Sequence, residues 1–291
     1  MKLKEIGDGI YMVDVVPLGY ENLISCYILD FEKKAVVETG PKSSIQSVFS
    51  ALREIGIKSL DYIFVSHIHL DHAGGAGTLA KEFGGKIVAH RKGAKHIINP
   101  KRLWKASVEF SRINELYGKP DSVGDRHVVM VDEDVTFNLG EVELKAFKTE
   151  GHAPHHLSFF LENERILFSG DSAGMCIDGS VIPTTPSPFN LDEWAESVER
   201  MIGLEAELIA YTHFGIYGAG DLLERVLNMA KRWAEIASES RTVEEFSERV
   251  KREDQELRRF ADYYSHCDVM VKWIDYGFEG MFEFLARRGM R

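Results

Sequence analysis

Three histidines and an aspartate fall within six residues: His67, His69, Asp71 and His72, in the stretch FVSHIHLDHAGG directly behind an apolar run. Neutral imidazole nitrogens and carboxylate oxygens are donors that suit zinc or iron. The whole chain has 11 histidines, so this crowding favours a metal site over a polar loop that happens to be histidine-rich. One cluster cannot close such a site, because loop neighbours approach from one side and a metal needs donors from several directions. Three distant residues occupy equivalent places, each just after a β-type run: His152 in FKTEGHAP, Asp171 in ILFSGDSAG and His213 in LIAYTHFG. Singly, each reads as a loop or core residue. As a set at strand ends, they read as the missing donors.

Such a set needs a framework that brings distant strand ends together. Residues 9–15, 23–30 and 35–39 are rich in β-branched and aromatic side chains and are separated by Gly, Pro and Asn, which predicts strands. Ile45, Val48, Phe49, Leu52 and Ile55 recur at helical spacing between Ser43 or Ser44 and Gly56. The run YIFVS then reads as a buried strand that delivers the histidine motif to its end. A helix at about 75–83 and the strand KIVAH precede a polar, mostly helical segment, about 91–120, taken as an insertion. From 128 onward β-type runs return: HVVMV, VTFNL, VELKAFK, HLSFFLE and RILFSG. A helix capped by Asn190 and Glu193 and a last strand, LIAYT, complete this part. Past Gly220 the pattern is helical, with a second capping pair at Thr242 and Glu245 and apolar spacing at Phe278, Phe282 and Leu285. The expected division is an α/β sandwich over 1–220 carrying the site and a helical region over 221–291.

Composition narrows the class. With 291 residues, 44% hydrophobic and 28% charged, the chain can bury a sizeable core. A formal charge of −11 argues against a nucleic-acid or anionic-membrane binder. The start carries charges from its second residue, unlike a signal peptide, and no apolar run has the length of a membrane span. The expectation is a cytoplasmic protein. Cys26, Cys176 and Cys267 are odd in number and far apart, which predicts small buried side chains rather than disulfides.

The H-x-H-x-D-H run, the Gly-His, the Gly-Asp and the strand-end His together resemble the metallo-β-lactamase superfamily over about residues 35–215. The resemblance implies an α/β fold, a four-layer αββα sandwich with a helical C-terminal extension and a metal pair at one edge of its two sheets. It assigns His67, His69 and His152 to a first metal, Asp71, His72 and His213 to a second, and Asp171 to a bridge between them. Two divalent ions, zinc first with iron or manganese also accommodated, would bring +4 against −3 from Asp71, Asp171 and a bridging hydroxide. Such pairs lower the pKa of water to about 7 at separations of about 3.5–4 Å. The expected reaction is hydrolysis by a metal-bridged hydroxide, with Asp71 as the catalytic group that orients or relays its proton.

Departures from the family pattern are specific. Glu38 stands where an Asp-Thr-Gly turn is usual and is expected to steady the motif loop. In the run Thr149 to His156, Glu150 and His155 replace Pro and Gly; His156 is expected to support rather than ligate, and His155 to be a surface residue or a group facing the substrate. His69 disfavours the di-iron redox branch, which carries a carboxylate there. The mononuclear iron persulfide dioxygenases keep the same motifs and stay an alternative, as do a phosphodiesterase or nuclease and a non-catalytic binding role. The helical tail resembles glyoxalase II, yet neither that enzyme's Lys and Tyr nor the lactonase Tyr follows Asp171, where Gly174 stands instead.

The expected substrate is therefore an ester, thioester or lactone of a small anionic molecule, drawn by a basic lip formed by Arg91, Lys92, Lys95, Lys101, Arg102 and Lys105. The plainer reading of that run is a solvated helix face. Trp104, Phe110, Tyr117, Phe214 and Tyr217 read as core, with Tyr217, four residues past His213, the one near enough to touch a bound substrate. The aromatic C-terminal helices could form a homodimer surface.

Overall fold

The computed structural model describes residues 2–289. Strands β1 (Lys2–Gly7), β2 (Ile10–Asp14), β3 (Ser25–Asp30) and β4 (Lys34–Val37) form an antiparallel meander. The chain then crosses through α1 (Ile45–Glu54) to β5 (Tyr62–Phe64), parallel to β4. Helices α2 (Leu70–Ala73) and α3 (Ala76–Phe83) lead to β6 (Lys86–His90). After α4 (Arg91–Ile98) and α5 (Lys101–Phe110), β7 (Val128–Val131) completes a seven-stranded sheet in chain order.

The second sheet begins with β8 (Val135–Asn138), β9 (Glu143–Lys148), β10 (Leu157–Leu161) and β11 (Ile166–Gly170). A detached hairpin, β12 (Met175–Ile177) and β13 (Ser180–Ile182), and helix α6 (Leu191–Ile202) follow. The chain then adds β14 (Leu208–Tyr211), parallel to β11, and β15 (Gly215–Gly218) as the edge strand. The C-terminal region is helical: α7 (Leu222–Glu239), α8 (Val243–Glu253), α9 (Gln255–Tyr263) and α10 (Asp268–Arg287). Among the described residues, no helix is long and apolar enough to cross a membrane.

Strand alternation makes the layers. Tyr27 and Leu29 of β3, Ala35 and Val37 of β4, Phe64 of β5, and Leu157, Phe159 and Leu161 of β10 share one core between the sheets. Their neighbours Cys26, Ile28, Val36, Ile63 and Phe160 point the other way, into the cores beneath the helices. Both faces of the central strands are buried, which is why these runs read as nearly continuous hydrophobic sequence. The rings of Phe64, Phe137 and Phe159 meet edge-on at 5.1–5.3 Å inside the sandwich, and burying each contributes about 1.5–3 kcal/mol. Outside it, α1 presents Ile45, Val48, Phe49 and Leu52, the spacing expected of it. All three cysteines are free and buried.

Four strands escape the sequence pattern. β1 mixes charged and apolar residues without regular alternation at a sheet edge, so pairing with β2 rather than burial makes it a strand. β12 and β13 have three residues each, and β15 begins and ends in glycine. The insertion is helical as expected, but α5 buries none of its residues; it lies over a cavity.

Candidate metal centre

Every sequence-predicted donor arrives from the carboxyl end of a strand, all on one edge of the sandwich. β4 leads into Glu38, and β5 runs into Ser66, His67 and His69 before α2 presents Asp71 and His72. The turns after β9, β11 and β14 supply His152, Asp171 and His213. Cross-sheet backbone bonds clamp these turns together: the Leu157 N–H donates to the Ser66 carbonyl and the Ser25 N–H to the Thr212 carbonyl, both at 2.8 Å. Gly170 explains the glycine before Asp171. Its φ is +54°, and a Cβ there would lie 2.6 Å from His156 Nε2 and 2.7 Å from the Ser66 Cβ.

The structure brings all seven residues together. His69 Nδ1 lies 2.8 Å from His67 Nε2 and 3.4 Å from His152 Nε2. On the other side, His72 Nε2 lies 3.2 Å from His213 Nε2, and Asp71 Oδ2 lies 3.5 Å from His213 Nε2 and 3.8 Å from His72 Nε2. Asp171 sits between the groups. Its Oδ2 is 3.3 Å from His152 Nε2, while its Oδ1 is 3.3 Å from His72 Nε2 and 3.5 Å from His213 Nε2. Donors about 2.0–2.1 Å from a tetrahedral zinc lie roughly 3.3 Å from one another, so these separations are those of donors around common centres.

Buried partners fix which imidazole nitrogen faces inward. His152 Nδ1–H donates to the Thr184 carbonyl at 3.1 Å and His213 Nδ1–H to the Leu23 carbonyl at 3.0 Å, leaving each Nε2 free. Ser66 Oγ lies 2.9 Å from His67 Nδ1. Glu38 accepts the Ser66 N–H at 3.0 Å with one oxygen and places the other 3.3 Å from His72 Nδ1, so it steadies the motif loop as expected. His156 also supports: its Nε2 accepts the Asp171 N–H at 3.0 Å, and its Nδ1 lies 2.8 Å from Thr149 Oγ1. Sequence reasoning misses the supports Ser66, Thr184, Leu23 and Ser172, the last with its Oγ 3.0 Å from His156 Nδ1. Two act through backbone carbonyls, which leave no sequence signal.

Electrostatics prepares the same set. Burial holds His67 well below its usual pKa and His69 at about 4, each reinforced by neighbouring imidazoles. Burial pushes the Asp71 carboxyl upward, but His72 and His213 outweigh it and hold it at about 2. Asp171 is likewise lowered against its burial by His72, His213 and His152. Burial opposes a proton on His72, yet Asp171, Glu38 and Asp71 raise its pKa well above normal. Ionised carboxylates thus face His67, His69 and His152, which burial disfavours in the charged form, and His72, whose proton they favour. Asp171 Oδ1 is buried with no well-formed hydrogen bond among the described residues, a costly state for a buried carboxylate oxygen.

The centre opens into a cavity of about 440 Å³ lined by Ile68, Leu70, Leu103, Phe110, Met175 and Trp273 together with the exposed sides of the donors. His155 lines it as well, its ring 6.3 Å from that of His67 and its pKa pushed down by burial to about 3. It faces the substrate space. Phe110, expected in the core, is 53% exposed at this wall. Tyr217 does not reach the cavity: its hydroxyl accepts the Asp178 N–H at 3.2 Å and its ring packs on Tyr211, because β15 turns it away from His213. The basic run is exposed, as a solvated helix face would be. Among the described residues, no lysine or arginine lines the cavity; Arg91 pairs with Asp132 at 2.8 Å and Lys92 with Glu150 at 2.6 Å. Trp273 and Tyr276, wall residues on α10, carry no local signal separating them from ordinary helix aromatics.

Among known proteins, the chain is 28% identical over 230 residues to the metallo-beta-lactamase fold-containing protein ST1585 of Sulfurisphaera tokodaii, covering 77% of this chain and 85% of that one. The solved structure of ST1585 superposes with a TM-score of 0.69 over 77% of this chain and 86% of its own, at 26% identity. A Thermus thermophilus metallo-beta-lactamase family protein, TTHA1429, shares the fold along nearly the whole length, with TM-score 0.71, 18% identity and coverage of 98% and 95%. A hydroxyacylglutathione hydrolase of Brucella ovis is 24% identical over 65% of this chain and 64% of its own. The family model of the metallo-beta-lactamase superfamily matches residues 19–213, which takes in every donor of the centre. This chain belongs to the metallo-β-lactamase superfamily.

Proposed function

We propose that this protein is a metal-dependent hydrolase in which His67, His69 and His152 hold one divalent ion, Asp71, His72 and His213 hold a second, and Asp171 shares its oxygens between them. The observation that carries this reading is the Asp171 carboxylate, with Oδ2 against His152, Oδ1 against His72 and His213, and no well-formed hydrogen bond on Oδ1 among the described residues. The donors fit such ions in type and spacing, and zinc matches the imidazole-rich set. When bound, divalent ions supply Lewis acidity and make water acidic near neutral pH.

The chain's own groups do the rest. His152 and His213 are locked to present Nε2 by the Thr184 and Leu23 carbonyls. Asp71, ionised and at the cavity wall, is placed to hold the proton lost by attacking water and to deliver it toward the leaving group. The apolar walls exclude bulk solvent from the scissile bond. We assign the reaction to acyl transfer to water, on an ester, thioester or lactone; the hydroxyacylglutathione hydrolase relative supports that class. Elemental analysis with a panel of thioester, ester, lactone, phosphodiester and persulfide substrates tests the reading. Two zinc ions per chain with acyl hydrolysis support it; a single iron with oxygen uptake on persulfide overturns it.

A further inference from the structure

Resting on the hydrolase reading, we propose that the acyl part of the substrate is neutral and apolar, a medium-length alkyl chain or an aromatic ring seated between α5 and α10. The cavity beside the centre has ordinary ligand-binding size at about 440 Å³. One wall comes from α5, through Leu103, Ala106 and Phe110; the opposite wall comes from α10, through Trp273 and Tyr276. The ring of Phe110 meets that of Tyr276 at 4.7 Å, and Trp273 packs on His213 at 4.7 Å, so the two helices carry a continuous aromatic surface down to the donors.

Three polar groups of this wall are engaged within the protein, while His155 Nδ1, pushed toward its neutral form by burial, offers no positive charge. Tyr276 donates its hydroxyl to Ser111 Oγ at 2.8 Å, the Asn114 amide donates to the Ser107 carbonyl at 2.7 Å, and Ser187 Oγ donates to Glu283 at 2.7 Å. With no lysine or arginine among the described residues of the lining, a carboxylate or phosphate at the far end of the substrate would lose hydration and gain no counter-charge. A methylene in the same place is removed from water to its advantage. Recognition at this end therefore runs through apolar contact, and chain length becomes the readable variable.

Two measurements test this on the zinc-loaded full-length protein. In the first, kcat/KM is compared for acetyl, butanoyl and hexanoyl thioesters of one thiol and for the adipoyl hemithioester, which matches hexanoyl in length but ends in a carboxylate. The expected result is a rise of about fourfold per methylene and at least a tenfold preference for hexanoyl over adipoyl. Phe110→Ala should lower the hexanoyl-to-acetyl ratio, and Phe110→Arg should raise adipoyl relative to hexanoyl; Phe110 is exposed, so both variants should fold. In the second, binding of octanamide and of suberamic acid is read by tryptophan fluorescence, with Trp273→Phe as the control that identifies the signal. Tighter binding of octanamide without turnover of any thioester, ester or lactone would support this inference while overturning the hydrolase reading. A flat dependence on chain length, or equal handling of hexanoyl and adipoyl substrates, would overturn the inference and leave the hydrolase reading standing.

Discussion

Glu38 acts on the centre through His72 and the Ser66 amide, not as a donor itself. It does so from a left-handed backbone conformation, φ +64° in a buried residue, which costs about 1–3 kcal/mol and is held by the bonds its carboxylate makes. Glu38→Gln keeps the shape and removes the charge that faces His72. It should weaken metal affinity about tenfold to hundredfold, measured by competition with a chromophoric chelator; an unchanged affinity would show that the carboxylate serves only the turn. At this scale the convergence of the seven residues was legible, because histidine and aspartate suggest metal chemistry by type and their strand-end positions suggest a common point. The supports were legible only where a side chain does the work, as with Glu38 and His156. Thr184 and Leu23 act through carbonyls that every residue possesses, so nothing in their identity marks them.

Among elements, the turn from β11 into Asp171 and the seat of α10 decide the geometry. Gly170→Ala would place a Cβ against His156 and Ser66 at positive φ, so the thermal midpoint should fall by an amount equivalent to more than about 1 kcal/mol, with loss of metal because Asp171 moves. A variant as stable and as well loaded as the parent would contradict that account of the glycine. Helix α10 is seated by Gly280, where a Cβ would stand 2.0 Å from the Thr185 carbonyl. Gly280→Val should displace the Trp273 and Tyr276 wall and raise KM more than it lowers metal content, checked by kinetics beside elemental analysis. The central strands and most helices were readable from period-2 and helical spacing. The edge and three-residue strands were not, because pairing and not burial specifies them. Phe110 was misplaced for a related reason: which face of an exposed helix meets the cavity depends on packing between distant elements.

For the molecule as a whole, the centre ties folding to metal and to pH. Chelation should abolish hydrolysis and lower the thermal midpoint together, since ions that bind only the native state stabilise it, and added zinc should restore both. In the chelated protein, burial depresses His69 to about 4 and His155 to about 3, with His67, His152 and His156 also lowered. Their unfolded counterparts take up protons near pH 6.5. Stability from these groups is therefore full above about 6.5 and is lost as pH falls toward 4 and then 3. His72 is raised and acts in the opposite sense, but it is one group against five. Melting of the metal-free protein should consequently shift downward from pH 7 to pH 5, and His155→Gln should shallow that slope; a midpoint independent of pH would show that these imidazoles are not desolvated. The central claim is the sharing of Asp171 between two ions, and anomalous diffraction from zinc-loaded crystals at the metal edge tests it most directly. The account predicts two peaks, one among His67, His69 and His152 and one among Asp71, His72 and His213, with an Asp171 oxygen on each; a single peak, or Asp171 turned away from both, would contradict it.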